Sequence, residues 1–146
     1  MKAKTYLKQI EKMDAKINTL NEELAYLNAL ATRTTSVLGG ERVQTSGSKE
    51  RMADCTVKMA DMRNRMNEEI DRLIDYRCEA MEILSECDSD CISLLSKRYF
   101  QYKEWEEIAV EMNFTYQWVS GGLHQKALGQ VQKVLDEREE AKNEQY

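Results

Sequence analysis

Residues 105–128 read WEEIAVEMNFTYQWVSGGLHQKAL, and three features of this stretch decide the architecture. Trp105, Ile108, Ala109 and Met112 fall at i, i+3, i+4 and i+7, one face of a helix, while Glu106, Glu107 and Glu111 take the wet side. Asn113, Phe114 and Thr115 break the period. Thr115 is an N-cap residue for a further helix that turns Val119, Leu123, Ala127, Val131 and Val134 or Leu135 inward. A short helix, a tight turn and a longer helix have the spacing of a helix-turn-helix. Upstream, CISLLSKRYF (91–100), opened by Asp88, Ser89 or Asp90 as N-cap, places Cys91, Leu94, Leu95 and Tyr99 on one face. The polar turn Gln101–Tyr102–Lys103 joins it to the next helix, so residues 91–135 predict three short helices.

Outward from this head, the N-terminal half carries a different period. Tyr6, Ile10, Met13, Ile17, Leu20, Leu24, Leu27 and Ala31 alternate spacings of three and four, the mark of a coiled-coil seam. Met52, Cys55, Met59, Met62, Met66, Leu73, Tyr76, Ala80 and Ile83 repeat it, with Glu69 interrupting the seam and Ile70 covering the gap. The Thr/Ser/Gly-rich residues 32–49 between them predict a long loop, locally basic through Arg33, Arg42 and Lys49. Two long helices with matching narrow seams fold most simply as an antiparallel hairpin. The expected fold is all-α: a coiled-coil hairpin arm over 1–87, a helix-turn-helix domain over 88–138 and a charged tail over 139–146.

Composition agrees. The 146 residues include no Pro, where average usage would give roughly seven, and an absence of Pro favours long uninterrupted helices. No apolar run approaches the roughly 18 residues of a membrane span. Four Cys at 55, 78, 87 and 91 lack paired spacing, as expected of reduced thiols in a cytoplasmic protein. The net charge is −5, and residues 48–90 hold seven Lys or Arg against twelve Asp or Glu, a local −5. Acidic composition argues against a general polyanion binder.

The string Trp105–Thr115 followed by Val119 and Lys126–Ala127–Leu128 resembles region four of bacterial sigma factors, in which the Glu-Glu-Ile-Ala helix supports a recognition helix beginning after the Thr. Leu94 to Phe100 is similar to the leading helix of that module. With its coiled-coil arm, the chain as a whole resembles small phage and prophage proteins grouped with the RinA- and ArpU-like late-gene transcription regulators. The resemblance implies a phage-encoded regulator in a bacterial host, binding double-stranded DNA, with RNA polymerase or a phage or host regulatory protein as a further partner.

Carried over residue by residue, the DNA-contacting set is Thr115, Tyr116, Gln117, Trp118, Ser120, His124, Gln125 and Lys126. Gln117 has the two-pronged amide that reads a base edge, Tyr116 and Ser120 have hydroxyls for phosphate, and Trp118 has a face for a thymine methyl or a sugar. No arginine stands on this face. Val119 and Leu123 are separated by one residue more than in the sigma pattern, and the extra residue coincides with Gly121–Gly122. Glycines inside a helix cost about 1 kcal/mol each relative to Ala, so a bulged or softened segment is expected there.

Residues 97–133 hold five Lys or Arg against four Glu. Affinity scales with the phosphates neutralised, so a single copy binds DNA weakly, and dimerisation through the arm supplies two half-sites. Catalysis is not expected. Gly39–Gly40 lacks the Lys-Ser/Thr of a phosphate-binding loop, His124 sits near the outer face of the last helix without catalytic partners, and Glu68–Glu69 and Glu106–Glu107 read as solvated faces. Cys87, Cys91 and His124 lack a fourth ligand for zinc, so neither metal nor cofactor is expected. Two other classes compete with the regulator: a protein–protein regulator capturing a repressor or polymerase subunit through the Met-lined arm, and the small DNA-recognition subunit of a packaging terminase.

Overall fold

The computed structural model describes residues 1–39 and 46–146, and every regular element among them is helical. Helix α1 spans Ala3–Gly39, α2 Ser46–Leu84, α3 Ser89–Leu95, α4 Trp105–Met112 and α5 His124–Glu144. Two π-helical segments, Ser96–Phe100 and Trp118–Leu123, continue α3 and lead into α5. The fold is all-α. No helix among the described residues is long and apolar enough to cross a membrane.

The expected loop over 32–49 is corrected at both ends, because α1 continues to Gly39 and α2 begins at Ser46. Thr, Ser and Gly are weak helix formers rather than helix breakers, each costing under about 1 kcal/mol, and there is no Pro to stop the chain. Thr32 shows how a poor helix former is accommodated: its Oγ1 donates to the carbonyl of Asn28 one turn back, at 2.9 Å. The centre of the expected loop, residues 40–45 with Arg42, lies outside the described residues.

The chain divides into two compact units, Met1–Met13 with Leu73–Tyr146, and Asp14–Arg72. This differs from the expected division at residue 87, and the reason is a change of stripe along α1. Ala3, Tyr6, Leu7 and Ile10 are all buried, which is the wide face of a helix in a globular core. From Met13 to Ala31 the seam positions are only half-buried. Helix α2 changes in the same way, with Leu73, Ala80, Ile83 and Leu84 buried in the first unit.

In the first unit these residues share a core with Cys91, Leu94, Leu95, Tyr99, Ile108, Val119, Leu123, Ala127 and Val131. Polar contacts supplement it. The Tyr76 hydroxyl donates to the carbonyl of Tyr6 at 2.8 Å, and Gln132 closes on the N-terminus by accepting from the Ala3 amide at 2.8 Å. In the unit of residues 14–72, Lys16 Nζ lies 2.8 Å from Glu69 Oε1, and Leu27, Leu30 and Ala31 share a groove with Met52, Cys55 and Met59. These contacts run in opposite chain directions. Glu69 also accepts from Arg72 at 3.0 Å, so the acid that interrupts the seam is neutralised from both helices, and the hydrogen bond from Lys16 holds its carboxyl below the usual range.

Candidate nucleic-acid interface

Helix α4 ends where the sequence breaks. Asn113 takes a left-handed conformation (φ 58°, ψ 38°), which Asn tolerates better than most side chains. The Phe114 amide donates to the carbonyl of Ala109 at 3.1 Å and that of Asn113 to the carbonyl of Val110 at 3.3 Å. This pair of bonds is a Schellman closure. Thr115 then caps the next turn, its Oγ1 accepting from the Trp118 amide at 3.2 Å.

The bulge expected at Gly121–Gly122 is a π-helical turn, Trp118–Leu123. One extra residue is absorbed by widening a single turn, so Val119 before it and Leu123 and Ala127 after it all stay in the core. The two glycines do different things. A Cβ on Gly121 would meet nothing within 4 Å, whereas one on Gly122 would lie 2.4 Å from the Trp118 ring. Gly122 is the seat on which the indole rests.

Six of the expected contact residues separate into three groups. Tyr116, Gln117 and Trp118 are exposed together at the start of the segment, and the Gln117 amide makes no hydrogen bond within the described residues. Ser120 is half-buried, and its hydroxyl donates to the carbonyl of Tyr116 at 2.7 Å. Gln125 and Lys126 are exposed on α5, yet Lys126 Nζ is 3.3 Å from Asp88 Oδ2, which also accepts from Gln130 at 2.8 Å. The bonds from Gln130 and Lys126 keep the Asp88 carboxyl below its ordinary range.

His124 is corrected. It is 7% exposed rather than outward-facing, its Nε2 2.8 Å from the Tyr99 hydroxyl and its ring edge-on to Trp105 at 4.7 Å between centroids. Burial, with Lys4 and Arg98 nearby, pulls its pKa down to about 4, so the ring is neutral at pH 7. The signal was in the spacing: 124, 127, 131 and 134 alternate three and four, and all four are buried. Reading His as polar hid it.

Neutralisation extends across the head. Glu111 accepts from Lys97 at 2.7 Å and Lys103 at 2.6 Å, bonds that hold its carboxyl low. Arg98 lies 3.6 Å from Glu104 Oε2 and stacks over Trp105 at 4.4 Å, and Lys133 lies 4.0 Å from Glu137. Each of the five basic residues between 97 and 133 therefore has an acidic partner. Among the described residues no group of three His, Cys, Asp or Glu is placed to hold a metal.

The chain matches no family model, no curated protein and no solved structure.

Proposed function

We propose that the chain is a phage-type transcription regulator that reads double-stranded DNA through the segment Thr115–Lys126, carried on α4 and acting as a pair of copies or together with RNA polymerase. The supporting observation is that Tyr116, Gln117 and Trp118 are each exposed in the first turn after the Thr115 cap. The two-pronged amide of Gln117 suits a base edge, and an exposed aromatic side chain suits a sugar or a thymine methyl. Lys126, exposed at the start of α5 and 3.3 Å from Asp88, ends the segment. Cytoplasmic location in a bacterial host belongs to the same reading.

Enrichment of duplexes from a random pool tests it. The wild type should enrich a discrete site, and Gln117→Ala should relax selection at one base pair by about 1–3 kcal/mol, the worth of one bidentate contact. Failure to enrich any site, or an unchanged motif in Gln117→Ala, overturns the reading.

The neutralised cations favour a second reading, a protein partner. Val110 is 79% exposed on α4 beside Glu106 and Glu107, a face without positive charge. Under this reading Val110→Lys abolishes capture of purified bacterial RNA polymerase. Under the DNA reading it leaves duplex selection intact.

A further inference from the structure

Beside the recognition segment lies a cleft of about 280 Å³, lined by Lys4, Lys8 and Glu11 of α1, by Arg98, Tyr99, Tyr102, Glu104 and Trp105, and by Ser120 and His124. It has room for roughly nine waters at ~30 Å³ each. We propose that this cleft seats one phosphodiester of the nucleic-acid backbone, with Lys4 and Lys8 neutralising it and His124 donating a hydrogen bond from its floor. The inference rests on the DNA-binding reading and supplies the phosphate contact that the recognition segment lacks.

Three observations carry it. First, the first thirteen residues hold four lysines, Lys2, Lys4, Lys8 and Lys12, against Glu11 alone. Lys4 and Lys8 are exposed and, unlike the cations of residues 97–133, form no ion pair within the described residues.

Second, His124 is more than nine-tenths buried and only half-satisfied. The buried Tyr99 hydroxyl has one hydrogen-bond partner, Nε2 of His124, and burial raises the Tyr99 pKa so that the hydroxyl keeps its proton. A buried hydroxyl hydrogen needs an acceptor. Where Tyr99 donates to Nε2, the neutral ring carries its own proton on Nδ1. That N–H has no acceptor within the described residues, and His124 lines the cleft.

Third, the charge count selects the ligand. Arg98 is held by Glu104 and by the carbonyl of Lys103 at 3.0 Å. Lys4 and Lys8 against Glu11 leave one positive charge, which matches a singly charged phosphodiester better than a doubly charged monoester.

The full-length chain is titrated with labelled duplex over a range of salt, comparing wild type, Lys4→Gln/Lys8→Gln and Lys12→Gln, whose lysine does not line the cleft. In parallel, dimethyl phosphate is titrated against the Trp105 indole N–H resonance. The expected result is a salt slope lower by about 0.9 in the double variant, the worth of the one phosphate contact, and unchanged in Lys12→Gln. The dimethyl phosphate shift of Trp105 should saturate in the wild type and vanish in the double variant. Duplex binding with an unchanged slope in the double variant overturns the cleft and leaves the DNA reading standing. No duplex binding beside a saturable, lysine-dependent response to dimethyl phosphate overturns the DNA reading and supports the cleft. Silence in both titrations overturns both.

Discussion

His124 is the only buried ionisable residue of the head whose ordinary pKa lies near neutrality, and this gives acid stability a specific origin. Its pKa is lowered from 6.5 to about 4, so between those values the unfolded chain binds a proton that the folded chain refuses, and stability rises with pH. The contribution is complete above pH 6.5 and is lost as pH falls through about 4, amounting to about 3 kcal/mol at ~1.36 per pH unit. The lowered carboxyls of Glu69, Asp88 and Glu111 act in the same direction but from the ordinary carboxylate range downward, so the two windows separate. Denaturant melts between pH 6.5 and 4.5 should show a stability slope in the wild type that His124→Phe flattens. Equal slopes in the two proteins would place the proton uptake elsewhere.

At the scale of elements, the π-turn Trp118–Leu123 is an insertion that the core never feels, and its removal is therefore predicted to be cheap. Deleting Gly121, where a Cβ would find open space, should restore an α-turn and leave the thermal midpoint within a few degrees, since ~1 kcal/mol moves a chain of this size by roughly 2–4 °C. Deleting Ala127, buried in α5, would instead rotate Val131 and Val134 by about 100° off the core and unfold the head. The two deletions, compared by calorimetry, must differ sharply. A Gly121 deletion as damaging as that of Ala127 would mean that the widened turn is itself structural.

The insertion also explains what could be read in advance. Helix α4 coincides with the WEEIAVEM period, Asn113 with the break and Gly121–Gly122 with the bulge, because each is set by local geometry: a stripe, a left-handed residue, a count of positions. The extent of α1 and α2 was not legible, since weak helix formers without Pro do not announce where a helix stops. Leu7 is legible only from the globular stripe 3, 6, 7 and 10, which the longer seam that begins inside it masks. Lys4 and Lys8 could not be placed beside Ser120 and His124 from sequence, because more than a hundred residues separate them and only the burial of α1's first turns brings them together.

For the whole molecule, the question is what covers the seam of residues 14–72. Met59 is buried there, while Ile17, Leu20, Leu24, Leu27, Met52, Met62 and Met66 remain half-exposed, and the apolar groove between Leu27 and Met59 measures about 360 Å³. A two-helix pair leaves one side of each seam residue to water, and a second copy of the same pair would present a matching stripe. Under the DNA-binding proposal, pairing would also answer the weak charge of a single head, because two linked heads on two half-sites would gain about 10²–10⁴ in avidity without a new contact. Sedimentation equilibrium should give twice the 17.0 kDa chain mass for the wild type and the single mass for Leu27→Glu, which puts a charge on the groove. The same variant should lose affinity for a duplex with two half-sites while keeping that for one. A monomeric wild type would remove the arm from the mechanism, and a ring of eight or more copies would favour the terminase class, in which the seam builds a closed assembly around DNA rather than a pair along it.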